Sequence, residues 1–125
     1  MGQLKLFIRS IYTAFTGLVF VVRIERNARL HLIFALIALG LCIVLGVSNT
    51  ELAAIFFAII LVFTSEIINT ALEKTLDLIE PNHHAQVRII KDIAAGAVLV
   101  TSIGAVAIGA AIFLPYIGNI FWPGQ

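Results

Sequence analysis

Three carboxylates and one amide recur at helical spacing in the middle of a strongly apolar chain. Separated by three, four and four positions, they are Glu66, Asn69, Glu73 and Asp77. At 3.6 residues per turn, this spacing predicts one narrow stripe along a helix. The stripe follows the apolar run 52–63, and a carboxylate at hydrocarbon depth is costly unless it is paired, protonated, hydrated or bound to a cation. The pattern therefore predicts a functional site, most simply a divalent-cation site.

Two structural explanations of this acidic stripe remain open from the spacing alone. The stripe would be ordinary if it formed a hydrated helix end just outside the membrane. It would also be ordinary if a neighbouring helix supplied polar partners for each side chain.

Oxygen ligands and nearby basic groups indicate which chemistry such a site would support. Mg²⁺ prefers oxygen ligands and commonly uses one or two carboxylates together with substrate phosphates. Lys91 and Arg88 follow the stripe in the chain and carry the charge that phosphate groups need. Glu66 is the deepest carboxylate, so it is placed to act as a general base on the hydroxyl of a membrane lipid. These features favour phosphoryl transfer, although neither GxxxxGK[ST] nor GxGxxG is present.

The composition indicates the environment in which this chemistry would take place. Of 125 residues, 61% are hydrophobic and 12% are charged, whereas soluble domains average about a quarter charged residues. We therefore expect an integral membrane protein with one domain over residues 1–125. The lone Cys42 lies within an apolar run, which indicates a small buried or lipid-facing residue.

The apolar pattern predicts the elements that position the site. Membrane-spanning helices are expected at about 30–47, 52–72 and 93–114. Residues 3–22 alternate apolar and polar side chains at helical spacing, which predicts an amphipathic helix at the membrane surface. The predicted fold class is all-α, with three transmembrane helices and an N-terminal surface helix.

Local sequence signals predict where these helices begin and end. Ser48 or Thr50 is a suitable N-cap for the second span. Pro81 and Asn82 are turn formers and should end the helix that carries the stripe. A polar helical segment resumes at Ala85 and leads into the third span, whose many small residues favour close helix packing.

The distribution of basic residues predicts the orientation in the membrane. They fall into two segments: Lys5, Arg9, Arg23, Arg26 and Arg29 before the first span, and Lys74, Arg88 and Lys91 around the second loop. By the positive-inside rule, the N-terminus and the second loop are expected in the cytoplasm and the C-terminus outside the cell membrane. The acidic stripe would then face the cytosol.

Two separated motifs resemble a known family. The pattern ExxNxxxExxxD over residues 66–77 and the block KDIAAGAVL over residues 91–99 are similar to the small prokaryotic membrane diacylglycerol kinases. The segment ERNARLH, residues 25–31, resembles the undecaprenol kinase branch of that family, found in Gram-positive bacteria. The resemblance extends in order over residues 4–114.

The resemblance implies an activity, an assembly and a set of site residues. It implies a homotrimer with active sites between subunits, and ATP- and Mg²⁺-dependent phosphorylation of a lipid hydroxyl. Glu66 would be the catalytic base, Asn69 would position the site, and Glu25 and Glu73 would hold Mg²⁺. The nucleotide site would involve Glu25, Glu73, Asp77, Asn82, His83, His84, Lys91 and Asp92.

The identity of the acceptor lipid has two candidates. Undecaprenol is favoured by the branch resemblance and would give undecaprenyl phosphate. Diacylglycerol is the alternative and would give phosphatidic acid, since both lipids present an alcohol at the membrane surface.

Two functions other than a kinase would each account for part of the sequence pattern. A small proton- or cation-coupled transporter would also carry an intramembrane glutamate, but its acidic groups would be expected at the midplane. A non-catalytic accessory protein would use the small-residue third span as an interface, but this leaves the acidic stripe unexplained.

Overall fold

The fold consists of consecutive α-helices joined by very short connections. The computed structural model describes residues 2–81 and 84–121. In chain order the helices are α1 (Gln3–Ile24), α2 (Arg26–Leu45), α3 (Asn49–Ile79) and α4 (Ala85–Phe121). The predicted all-α class is therefore confirmed.

All four helices are long and apolar enough to cross a membrane. This supports a membrane protein, as predicted from the composition. It does not separate a three-span chain with a surface helix from a chain with four spans, because α1 also meets the length and composition criteria. The three-span arrangement remains a prediction.

Single residues separate or end the first two helices. Glu25 interrupts α1 and α2 with an extended backbone, at φ −93° and ψ 123°. Gly46 ends α2 in the left-handed conformation, at φ 63°. Glycine is suited to that position because it has no Cβ to clash with the backbone.

The start of α3 is fixed by a capping box at Ser48, one of the two N-cap candidates in the sequence. The Ser48 hydroxyl accepts a hydrogen bond from the Glu51 backbone N–H, at 3.3 Å, and the Glu51 carboxylate accepts one from the Ser48 N–H, at 2.8 Å. The hydroxyl of Tyr116 also donates to the Glu51 carboxylate, at 2.7 Å. This contact joins the start of α3 to the final turns of α4.

The stripe helix ends close to the predicted break. α3 ends at Ile79, two residues before Pro81, and α4 begins at Ala85. α4 is one long helix that continues through Pro115. It therefore extends beyond the third span predicted from the sequence, which stopped at residue 114.

Small side chains fill the interior between the helices. α3 packs most extensively against α4 and next against α2. The buried small residues are Ala28, Ala35, Cys42, Ala58 and Ala94. Such residues allow close backbone approach in membrane helices. The hydroxyls of Ser65 and Thr101 add a hydrogen bond of 2.8 Å between α3 and α4.

Many large apolar side chains lie on the outside of the bundle. Examples that are more than half exposed are Phe34, Ile43, Phe57, Leu99 and Val106. In water this much exposed apolar surface would be unfavourable, so these faces require lipid or other subunits to cover them.

Candidate active site

The acidic stripe passes from the interior to the surface along α3. Glu66 is 2% exposed and Asn69 is 8% exposed. One turn later Glu73 is half-buried, and Asp77 is exposed. The predicted single face is therefore present, and Glu66 is its deepest carboxylate.

Three buried polar atoms in this region have no hydrogen-bond partner among the described residues. They are Glu66 Oε2, Asn69 Oδ1 and Thr70 Oγ1. Most buried polar groups in native proteins are paired with protein or water, so an unpaired cluster marks a place where a ligand, ion or water completes the bonding. Thr70 was not among the predicted site residues, although it stands four positions after Glu66, a spacing that puts two residues on the same face of a helix.

One hydrogen bond fixes the orientation of the Asn69 amide. Its Nδ2 donates to Glu73 Oε1, at 3.2 Å. The carbonyl oxygen of the same amide is then left without a partner. Asn69 is thus held by the next carboxylate along the stripe, which fits a positioning function.

Glu66 and Asn69 line a cavity between α2, α3 and α4. Its volume is about 310 Å³. The other lining residues are Asn27, Leu30, His31 and Phe34 on α2, with Ala95, Val98, Leu99 and Ser102 on α4. The deepest carboxylate therefore faces a space that is large enough for the polar end of a small ligand.

Glu25 approaches the stripe from the junction of α1 and α2. Its carboxylate lies 3.8 Å from the Lys74 ammonium of α3. The charges of Glu25 and Glu73 are also close enough to act on Glu66. The structure therefore brings Glu25, from a distant part of the chain, close to two carboxylates of α3.

Glu25 contacts a residue of another helix, although Arg29 stands at a spacing that permits an ion pair along a helix. Glu25 and Arg29 stand four residues apart, but the Arg29 guanidinium donates instead to the carbonyl oxygens of Arg23, at 2.8 Å, and Val22, at 3.5 Å. These are the last carbonyls of α1, where a basic group is favourable. Glu25 is thereby available to Lys74 on another helix.

Charged residues gather at the junction of α3 and α4. Lys91 pairs with Asp77, and Arg88 lies 3.9 Å from Asp92. His84 is exposed, and its Nδ1 accepts a hydrogen bond from the Gln86 backbone N–H, at 3.3 Å. Two residues assigned to the nucleotide site, Asn82 and His83, lie outside the described residues.

The chemistry of the donor set fits Mg²⁺, although these side chains do not form a complete cage. Among residues 2–81 and 84–121, no three His, Cys, Asp or Glu side chains are grouped as a metal site. Mg²⁺ does not require such a group, because it keeps waters and shares substrate phosphates with one or two protein carboxylates. Glu25, Glu73 and the unpartnered oxygen of Asn69 are suitable donors.

Comparison with known proteins identifies the family. The chain matches the family described as prokaryotic diacylglycerol kinase over residues 12–113. The protein belongs to this family. The match includes the acidic stripe, the cavity and the charged junction, so the buried Glu66 belongs to a lipid kinase, a phosphotransferase with an alcohol acceptor. This membership favours a kinase over the transporter and accessory hypotheses.

Two curated relatives cover most of this family member. It is 38% identical over 114 residues to the undecaprenol kinase of Bacillus subtilis, and the aligned region covers 91% of this chain and 93% of that protein. It is 35% identical over 112 residues to a diacylglycerol kinase of Synechocystis, and the aligned region covers 85% of this chain but only 61% of that protein. No solved structure matches the chain significantly.

Proposed function

We propose that the protein phosphorylates undecaprenol, using ATP as the phosphoryl donor and Mg²⁺ as the required cation. The observation that carries this proposal is the buried Glu66, which faces a cavity and leaves one carboxylate oxygen without a protein partner. The similarity to the Bacillus undecaprenol kinase supports the choice of acceptor, because it extends over nearly the full length of both chains.

In this proposal Glu66 removes the proton from the lipid hydroxyl. The hydroxyl oxygen forms a bond to the γ-phosphorus of ATP while the bond from that phosphorus to the bridging oxygen breaks. The products are undecaprenyl phosphate and ADP, and the proton resides on the Glu66 carboxyl group before its release. Burial suits this function because water, the competing acceptor of the phosphoryl group, is kept away from the base.

The other site residues hold and orient the reactants. Asn69 keeps its amide directed by donating to Glu73. Glu25 and Glu73 would hold Mg²⁺, which supplies positive charge against the triphosphate when bound. Lys91 is a candidate for a direct contact with phosphate, because its pairing with Asp77 holds it beside the stripe.

The proposal places the remaining nucleotide contacts on the cytosolic side. They are Asp77, Asn82, His83, His84 and Asp92. The basic residues before α2 and around the α3–α4 junction support this orientation through the positive-inside rule.

We include a homotrimer with active sites between subunits in the proposal. The extensive apolar surface on the outside of the single chain supports contacts with lipid or other copies. Measurement of the mass of the detergent-solubilised protein tests this part separately from the chemistry.

Diacylglycerol is the second candidate acceptor because the Synechocystis relative carries that name. The two candidates are separated by an acceptor competition. Purified protein receives labelled ATP and Mg²⁺ with undecaprenol and diacylglycerol, first separately and then mixed. Label mainly on undecaprenol supports the proposal, and label mainly on diacylglycerol supports the second candidate. Label on neither lipid contradicts both.

A further inference from the structure

A second cavity adjoins the one beside Glu66 and shares three lining residues with it. It has a volume of about 300 Å³ and lies between the same three helices. Its lining is apolar except for His31 and Ser102 and includes Ile55, Val62, Phe63, Val106 and Phe113. This space suits a hydrocarbon chain, whereas the cavity beside Glu66 suits a polar end.

Three residues line both cavities and therefore stand where the two cavities meet. They are His31 and Phe34 on α2 and Ser102 on α4, and we call them the collar. A bound lipid alcohol would have its hydroxyl at Glu66 and its chain in the apolar cavity. The atoms next to its carbinol carbon would then lie beside the collar. The collar is therefore placed to distinguish acceptors by the groups at those atoms.

The two polar side chains of the collar have hydrogen-bond donors available for a ligand. In the described part of the chain, neither the His31 imidazole nor the Ser102 hydroxyl has a side-chain hydrogen bond or an ion pair. Both are only partly buried. A neutral imidazole and a hydroxyl each offer one donor, so together they can donate to two acceptor atoms of a bound lipid.

The candidate acceptors differ at the atoms that the collar would contact. A diacylglycerol carries ester carbonyl oxygens close to the carbinol carbon, and these oxygens accept hydrogen bonds. Undecaprenol carries an allylic double bond there, which needs only apolar or aromatic neighbours such as Phe34.

We propose that His31 and Ser102 are specificity-determining residues that donate hydrogen bonds to the ester groups of a glycerolipid acceptor. This inference rests on the proposed lipid kinase activity and adds the residues that set the balance between its two acceptors. Without these donors the collar becomes apolar, so the use of an ester lipid falls while the use of a polyprenol is retained.

The test compares three acceptors, two of which differ only in the ester carbonyl groups. They are undecaprenol, a diacylglycerol, and a dialkylglycerol ether of the same chain length, which lacks the carbonyl oxygens. The wild-type protein is expected to show a higher kcat/KM for the ester than for the ether. His31→Leu is expected to reduce this preference by about fivefold or more, the effect of one ordinary hydrogen bond.

Two further variants separate recognition from structure. His31→Gln keeps a side-chain donor and is expected to restore much of the ester preference. Ser102→Ala is expected to reduce it, whereas Ser65→Ala, the matched control, is not. Ser65 lies outside both cavities and bonds to Val62 O and Thr101 Oγ1. A loss of structure alone would lower kcat/KM equally for all three acceptors.

The outcomes distinguish this inference from the function on which it rests. The inference would be overturned, and the proposed function kept, if the wild type labelled undecaprenol but showed no preference for the ester over the ether. The same conclusion would follow if it labelled undecaprenol and used neither glycerolipid. An ester preference that survives in both His31→Leu and Ser102→Ala would also overturn the inference alone. No label on any lipid alcohol would overturn both the inference and the proposed function.

Discussion

The Lys74 ammonium lies 3.8 Å from the Glu25 carboxylate and thereby connects α3 to the junction of α1 and α2. This contact brings a carboxylate from a distant part of the chain to the acidic stripe. Glu25 is the single extended residue between two helices. Without the contact with Lys74, the orientation of its side chain would be poorly fixed. Lys74 is therefore a positioning residue for one of the proposed Mg²⁺ ligands.

Replacement of Lys74 by Met should weaken the use of the Mg²⁺–ATP substrate. The variant keeps the apolar stem of the side chain but loses the charge that holds Glu25. We expect KM for ATP to rise by about two- to fivefold with kcat little changed, because ion pairs with exposed partners contribute only ~0.2–1 kcal/mol. Steady-state kinetics with saturating lipid measure this effect. Lys74→Arg, which keeps the charge, is the control, and an unchanged KM in Lys74→Met would contradict the positioning function.

The requirement for Mg²⁺ should depend on Glu73. Removal of divalent cations with a chelator is expected to abolish transfer, and Mg²⁺ should restore it. Glu73→Gln should raise the Mg²⁺ concentration needed for half-maximal rate, because a neutral amide is a weaker ligand than a carboxylate. A titration of Mg²⁺ at fixed ATP measures this shift.

The matched control for the Mg²⁺ titration is Glu51→Gln. It makes the same chemical change at the start of α3, far along the helix from the stripe. Its Mg²⁺ dependence should equal that of the wild type. Equal Mg²⁺ dependence of Glu73→Gln and wild type would remove Glu73 from the ligand set.

Tyr116→Phe should lower the stability of the protein while preserving its chemistry. The lost hydroxyl donates to the Glu51 carboxylate at 2.7 Å and joins the ends of α3 and α4. We expect the Tm in detergent to fall by a few degrees, with kcat retained in the folded protein. Tyr12→Phe is the matched control, since Tyr12 is 68% exposed on α1. Equal Tm values for the two variants would show that the Tyr116 contact does not contribute.

Sequence reasoning succeeded where local physical rules decide the structure. The Ser48 cap and the helix break before Pro81 depend on residues within a few positions of each other. The stripe from Glu66 to Asp77 follows from the helical period alone. Cys42 is buried, which is one of the two positions that its apolar surroundings indicated.

Features that depend on tertiary contacts were not accessible from the sequence. The spacing of Glu25 and Arg29 permits a local ion pair, but the fold supplies Lys74 as a partner for Glu25 and the end of α1 as a partner for Arg29. The collar was also hidden, because His31 and Ser102 are 71 positions apart in the chain. α4 also continues through Pro115, although an interior proline removes a hydrogen-bond donor and crowds the carbonyl of the preceding turn.

The central claim is that Glu66 accepts the proton of a lipid alcohol during phosphoryl transfer. Its most direct test is the rate of label transfer from ATP to undecaprenol by Glu66→Gln, with Glu51→Gln as the matched control. Both variants should remain folded and keep the same assembly as the wild type in detergent. We expect kcat of Glu66→Gln to fall by about 100-fold or more, the usual contribution of a general base, and the control to retain its activity. A Glu66→Gln protein with wild-type turnover would contradict the account.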